Sequence, residues 1–389
     1  MYYYSVIKEI YLEEPSMSGF DSVAHETKNP VNVYTEWGKL EEVILGSSRL
    51  FNHSGIDSTF RFLYDNRDGK FSERDMTPRI DQRFIDERQE DLDNLANLLE
   101  SEGVTVRRPS RIEEVKPIVT PTFVSSTTAS DSPRDMFMAY GNTIIESPPT
   151  NRKRFFEQYL LRDIFRGYFD QGAGWIAAPM PMLSDESVDY SFWKDNLDKA
   201  VPTPDQVDPV MDIAFDAANA LKFGKDIVFN VATANHALGY EWLKRTLPRE
   251  TRLHPIRLSD SHIDGHFIPI APGRLLCNEV VMYDNYDRLP EQLQGWDRIP
   301  ILDPATNFDY PDDHLQMASS VGMSVNVLSL DEERILIRDT AKLTIEALAK
   351  AGFTPIPIRL RHSELFGGGI HCSTVDVRRK EDMEDYFEN

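Results

Sequence analysis

Cysteine is almost missing from this chain: Cys277 and Cys372 are the only thiols in 389 residues. Two thiols exclude a disulfide framework and a cysteine-rich zinc site, and they predict a reducing, cytoplasmic setting. Long apolar runs are missing as well. None reaches the roughly 20 residues needed to cross a bilayer. Basic charge is scarce: 42 Lys and Arg face 64 Asp and Glu, a formal net charge of −22. That balance argues against nucleic acid and anionic membrane as partners, which need a basic face. It suits a small cationic substrate drawn to an acidic cleft. No Gly-x-Gly-x-x-Gly follows a strand at a helix start, so a doubly wound dinucleotide-binding domain is not expected. The opening MYYYSVIKEIYLEEP lacks the basic and apolar regions of a signal peptide and is too acidic for a transit peptide. Residues 1–29 read as an N-terminal extension to one domain spanning residues 30–389.

What is present is a recurring order of short apolar strand, amphipathic helix and second strand. Leu92, Leu95, Leu98 and Leu99 fall at helical spacing before Gly103 and the run Val104-Thr-Val. The same order returns at Arg154–Phe169 before Trp175, at His236–Leu247 before Arg252, and at Ala341–Ala351 before Thr354. A weaker example is Glu291–Trp296 before Ile299. Each helix follows a strand that opens near Gly38, Gly141, Gly224, Gly273 or Glu333. Five irregularly spaced modules suit an α/β ring of units with their loops gathered at one centre rather than a solenoid. The polar stretch at 50–80 reads as a long loop over one face.

Five stretches carry the residues that chemistry needs. Gly367-Gly-Gly-Ile-His-Cys372 delivers a thiol after three glycines and before an alternating Thr-Val-Asp-Val run, the setting of a presented nucleophile. A buried cysteine acting as a small hydrophobe fits the same residues. Asp135, in Ser132-Pro-Arg-Asp135, stands at a strand mouth as a candidate acid or as a turn cap. Asp216, in Phe215-Asp-Ala-Ala-Asn219, is either an acid held among small residues or a helix cap. In Ser261-His-Ile-Asp-Gly-His266, strand alternation would put His262, Asp264 and His266 on one face. A metal site, a general acid/base histidine and an outward polar face all fit that pattern. Asp312-Asp-His314 with Ser319, Ser320 and Asn326 reads as a loop with small groups able to hold a carboxylate or amine, or as surface solvation.

Together these stretches resemble the amidinotransferase family, from about Val31 to Arg379. The matching pieces run in family order: EW-x-x-LEEVI-x-G at 36–46, PRD…GN-x-IIE at 133–146, FDAA at 215–218, HID at 262–264, DDH at 312–314, SS…S-x-NV-x-x-LDE at 319–332 and GGG-x-HC-x-T-x-DVRR at 367–379. The resemblance implies a five-bladed αβ-propeller, the pentein fold, with no metal or organic cofactor and a tendency toward homodimers. It implies that Cys372 is the nucleophile, His262 the general acid/base and Asp216 the orienting partner of that histidine. Asp135 and Asp264 would hold the guanidinium of a donor arginine, and Ser320 would lie near its α-carboxylate. The arginine that assists there in glycine-specific members aligns with Val281, so the contact would pass to Arg274 or another residue.

The implied reaction moves the amidino group of L-arginine to an acceptor amine through an amidino-cysteine, with ornithine released. The segment before His262 is three residues shorter than in glycine-using members, and Ser261 replaces a bulky methionine. Both changes widen the acceptor pocket and point to an amine larger than glycine, as in saxitoxin-like toxin or other secondary-metabolite assembly. A glycine amidinotransferase and a guanidine hydrolase of the arginine deiminase kind are the competing readings. A non-catalytic pentein acting as a binding module would lack this Cys, His and acid set. On this reading His371, by strand alternation, points away from the thiol.

Overall fold

The structure is a computed structural model that describes residues 29–52, 59, 80–184, 212–258, 262–304, 306, 308–311, 314, 317–318 and 320–388. Residues 1–28 of the expected 1–29 extension, most of the 50–80 loop, Ser261, Asp312, Asp313 and Ser319 lie outside the described residues.

Five three-stranded sheets share one plan. In the first, β1 (Lys39–Leu45) runs parallel to β2 (Thr105–Arg107) across helix α1 (Gln82–Ser101). A two-stranded hairpin follows, β3 (Pro117–Val119) with β4 (Val124–Ser126). The second sheet holds β5 (Phe137–Tyr140), β6 (Thr143–Glu146) and β7 (Gly174–Ala177), with helix α2 (Arg162–Asp170) before β7. The third holds β8 (Ala220–Phe223), β9 (Asp226–Asn230) and β10 (Arg252–Ile256), crossed by α3 (Ala234–Thr246). In the fourth, β11 (Phe267–Ala271) and β12 (Arg274–Cys277) lead through short helices α4 (Glu279–Met282) and α5 (Glu291–Gln294) to β13 (Asp297–Pro300). Helix α6 (Ser320–Val325) then precedes the fifth sheet, built from β14 (Leu328–Ser329), β15 (Arg334–Arg338), α7 (Lys342–Lys350) and β16 (Thr354–Ile358). The last elements are α8 (Ser363–Phe366) and β17 (Thr374–Lys380), and β17 pairs antiparallel with β1, Val43 against Asp376.

Each sheet is thus an antiparallel pair with a third strand added in parallel through a helical crossover, as parallel pairing requires. The five modules expected from periodicity are all present. The glycines expected to open strands do so, and three of them also turn the chain. Gly141, Gly224 and Gly273 sit in two-residue hairpin turns at φ 54°, 74° and 73°, the left-handed geometry such turns demand. The partner strand of each hairpin comes before its glycine. Among the described residues no sheet closes on itself, so the architecture at this level is α/β with five like sheets.

Helix α1 buries Phe84, Ile85, Leu92, Leu95 and Leu99. The same face carries Arg88, which is fully buried at a helical offset from Leu92 and Leu95. Its guanidinium donates to Asp131 at 3.0 and 3.2 Å, to Ser363 Oγ at 3.0 Å, to the Gly368 carbonyl at 2.9 Å and to Ser373 Oγ at 2.8 Å. One arginine therefore ties the first module's helix to both ends of the glycine-rich turn.

Candidate active site

Three turns from separate modules and one C-terminal loop meet. Asp135 closes a single 3-10 turn, Pro133–Asp135, ahead of β5. Asp216 stands just before another, Ala217–Asn219, ahead of β8, and its side chain caps nothing there. Residues 262–266 form a turn ahead of β11, not the alternating strand expected; the strand begins only at Phe267. Gly265 breaks the period-2 pattern, and His266 N and Phe267 N both donate to the Ile263 carbonyl. Residues 370–373 also form a turn, so Cys372 precedes β17 rather than lying on it. Backbone bonds join these pieces: Arg134 N to Cys372 O at 3.4 Å, and Ile263 N to Ala218 O at 3.3 Å.

The glycines fit the last turn against its neighbours. A Cβ on Gly368 would stand 2.4 Å from Ser132 Oγ and 3.1 Å from Cys372 Cβ. A Cβ on Gly369 would meet the Asn326 side chain at 2.6 Å. Closeness to Asn326 matters because that amide organises the thiol. Its Oδ1 accepts from Cys372 N at 3.0 Å, and its Nδ2 donates to Asp264 Oδ2 at 3.0 Å and to Cys372 Sγ at 3.1 Å. Cys372 Sγ also lies 3.4 Å from Asp264 Oδ2.

His371 does not point away from this group. Its Nδ1 meets Asp264 Oδ2 at 2.8 Å and its Nε2 meets Glu36 Oε2 at 3.3 Å. Behind it lies a buried ionic cluster: Glu36 with Lys222 at 2.7 Å, Arg134 with Asp376 at 2.7 Å, and Arg379 with Asp376 at 3.2 Å. Arg134 also donates to the His371 and Thr374 carbonyls at 2.8 Å each, which fixes the backbone on both sides of Cys372.

Across the site, His262 Nε2 meets Asp216 Oδ2 at 2.8 Å and Nδ1 faces Asp135 Oδ1 at 3.7 Å. Burial disfavours the imidazolium, but Asp135, the Asp216 hydrogen bond and Asp264 outweigh it and lift His262 to about 10. Burial, then the charges of Asp264 and Asp135, push the Cys372 thiol well above its usual value. For Asp264 burial is again outweighed; the hydrogen bond and charge of His371 hold its carboxyl far down. At neutral pH the empty site thus holds an imidazolium, a protonated thiol and an ionised Asp264.

Asp135 is not a free two-toothed clamp. Its Oδ2 is engaged by the Arg154 guanidinium, whose Nε also reaches Glu157 at 2.8 Å. Its Oδ1 is buried without a hydrogen-bond partner, an acceptor left for something to fill. A narrow cleft leads in, walled by Ser132, Asp135, Lys153, Arg154, His262, Met317 and Gly367. Cys372 and Asp264 are buried and form no part of that wall. A larger groove of about 810 Å³, beside Arg83, Tyr310, Arg338 and Arg359, holds none of these groups.

Ser320 heads α6; its side chain lies outside what the structure describes. The helix itself adjoins the site, since a Cβ on Gly265 would stand 3.9 Å from the Gly322 Cα. Arg274 is committed elsewhere, donating to the Ala351 carbonyl at 2.6 Å and lying over the Phe353 ring. His314 accepts from Asp81 N at 3.1 Å, on the α1 side. Among the described residues no group of three His, Cys, Asp or Glu is arranged to hold a metal ion, and no helix is long and apolar enough to cross a membrane.

No family model matches the chain. Single proteins do. The chain is 33% identical over 362 residues to an L-arginine:L-lysine amidinotransferase of Pseudomonas savastanoi pv. phaseolicola, covering 92% of this chain and 97% of that one. Among solved structures it matches an inosamine-phosphate amidinotransferase of Streptomyces griseus with a TM-score of 0.79 at 30% identity, over 92% and 99% of the two chains. It also matches an amidinotransferase of Microseira wollei in the saxitoxin biosynthetic pathway, with a TM-score of 0.77 at 32% identity, over 92% and 100%.

Proposed function

The chain belongs to the amidinotransferase family, and from that premise we propose that it moves the amidino group of L-arginine to an amine larger than glycine through a covalent intermediate on Cys372. One observation carries this reading: a buried thiol with a carboxylate 3.4 Å from it, and a carboxylate-backed histidine on the adjoining cleft wall, come from separate modules and lie within each other's field.

The donor guanidinium would take the vacant Asp135 Oδ1 on one side and Asp264 on the other. Its charge offsets the burial and the two carboxylates that hold up the Cys372 pKa, so binding favours release of the thiol proton to solvent. The thiolate attacks the guanidinium carbon. His262, already imidazolium, gives its proton to the departing nitrogen, and ornithine leaves. An acceptor amine then enters, neutral His262 takes its proton and becomes imidazolium again, and collapse of the second adduct frees the Cys372 thiolate and the new guanidino compound. No step calls on a metal or organic cofactor. Asp216 orients His262, and Ser320 would lie toward the donor carboxylate. The short segment ahead of His262 is what favours an acceptor larger than glycine, as in natural-product and toxin assembly. The five sheets would form one five-bladed propeller domain over residues 30–389, in a cytoplasmic homodimer.

Intact-mass measurement after mixing with arginine tests the core of this. The wild-type protein gains one amidino group on Cys372, and added amines discharge it. Cys372→Ser gains none, and its turnover falls roughly a thousandfold or more. Citrulline release without an amine would replace transfer by hydrolysis. Turnover with glycine and no larger amine would make it a glycine amidinotransferase.

A further inference from the structure

We propose that Asn326 is a catalytic residue: its side-chain amide stabilises the Cys372 sulfur as thiolate, once when that sulfur attacks and again when it is expelled. The role deepens the amidino-transfer reading and rests on it for the two half-reactions. Asn326 is buried between α6 and β14. Its neighbours Val325 and Val327 are packed in the core, and Val327 N donates to the Val325 carbonyl at 2.7 Å across it. The Asn326 carbonyl accepts from His371 N at 3.3 Å and its Oδ1 from Cys372 N at 3.0 Å. Backbone and side chain both grip the turn that carries the thiol.

The partners fix which way the amide faces. Cys372 N can only donate, so it takes the Oδ1 edge, and the two hydrogens of Nδ2 are left for Asp264 Oδ2 at 3.0 Å and Cys372 Sγ at 3.1 Å. Sulfur and carboxylate are 3.4 Å apart, and both are anionic once the thiol proton has gone. A neutral donor already aimed at both needs no reorganisation when that charge appears.

The charged groups packed around the sulfur are Asp264 and His262 of the 262–266 turn, Asp135 and Arg134 of the turn ahead of β5, and His371 of its own turn, with Glu36 behind it. Burial, Asp264 and Asp135 push the thiol up, and the Asn326 donor and the Gly369 backbone pull it down. Each tenfold gain in thiolate costs only about threefold in intrinsic nucleophilicity, so the donor is a net help to a thiol held this high. In the first half-reaction the sulfur pair forms the S–C bond, and a C–N π pair moves onto nitrogen. In the second the S–C bond breaks and its pair returns to sulfur, where the same donor favours departure.

Two kinds of measurement on the full-length protein separate this role from packing. Iodoacetamide alkylation of ligand-free Cys372 at pH 8, with Cys277 as internal control, reads the thiolate without any donor. Amidino-adduct formation from arginine and discharge of the adduct by hydroxylamine read the two half-reactions. Asn326→Ala should slow alkylation by roughly 3- to 10-fold, and adduct formation and discharge by roughly 10- to 100-fold each. Asn326→Asp keeps the volume and the bond from Cys372 N but sets a carboxyl where the donor was. It should be slower than Asn326→Ala in all three, whereas a packing role predicts the reverse order.

Alkylation of Asn326→Asp within about twofold of wild type would overturn the assignment, as would a loss confined to one half-reaction. If Asn326→Ala fails to fold, Asn326→Asp decides alone by the same criteria. No adduct on the wild-type protein, with alkylation still slowed in the variant, would overturn the transfer reading and not the action of Asn326 on the sulfur.

Discussion

At the scale of single residues, His262 sets the acid–base behaviour of the site. Its pKa is raised from 6.5 to about 10 because the field of Asp135, Asp216 and Asp264 overcomes burial. The folded protein therefore holds a proton that the unfolded chain releases near 6.5. That stabilisation is complete below about pH 6.5 and is lost as pH rises through about 10. Asp216→Asn removes the strongest hydrogen bond to the ring and should bring its pKa down. NMR titration of the ring checks this directly. The alkaline limb of adduct formation, near pH 10 in the wild type, should move down with it, and the rate at neutral pH should fall by roughly 10- to 100-fold. The candidate set Cys372, His262, Asp216, Asp135 and Asp264 was legible in the sequence, and the structure brings all five together. The supporting set was not. Asn326 stood out only as a small polar group. Arg134 and His371 looked like neighbours of more interesting residues. Their roles depend on groups 46 to 335 positions away, which no local pattern encodes.

At the scale of elements, helix α1 shows both sides of this. Its leucine spacing announced a buried face, and the face is where periodicity put it. The spacing did not announce that Arg88 belongs to that face, although its offset from Leu92 and Leu95 was there to be noticed. Replacing it tests how much the helix depends on it. Arg88→Met strips Asp131 of its buried partner and frees Gly368 O and Ser373 Oγ, so about 3–5 kcal/mol of stability should be lost. Urea unfolding measures this, and adding Asp131→Asn should recover part of the loss. Turns were read less well than helices. His262-Ile-Asp-Gly-His266 alternates like a strand, yet Gly265 and the Ile263 carbonyl make it a turn. The hairpin glycines 141, 224 and 273 were placed correctly as strand starts, but not as hairpin turns. Their partner strands are four or five residues long, too short for period-2 patterning to stand out.

At the scale of the whole molecule, charge is the quantity to test. The chain carries a net charge of −22. If arginine is the donor, as proposed, that field would draw it in, and salt would screen the attraction. Second-order rates for arginine should fall by roughly two- to tenfold between about 0.01 and 0.3 M salt, with saturated turnover unchanged. A flat salt profile would show that the acidic surface serves solubility alone. The five-module count was readable without any structure because four of the five crossovers hold a helix of 9 to 20 residues, long enough to show its period; the fourth module, crossed by two helices of 4 residues each, gave the weaker signal. How those modules meet depends on turns and buried ion pairs, and that information resides in contacts between distant parts of the chain.

The pairing of β17 with β1 also bears on timing. A ribosome makes Lys39–Leu45 long before Thr374–Lys380, so the first sheet waits for its third strand until that later segment is made. Cys372 arrives on that same late segment. Until then the nascent chain carries the acid and histidine turns without the Cys372 loop. The sheet edge at β1 stays open, and an open edge invites pairing with other chains. Chaperone dependence should therefore be greatest before β17 is made, and chains cut short before Thr374 should aggregate rather than fold to an inactive core.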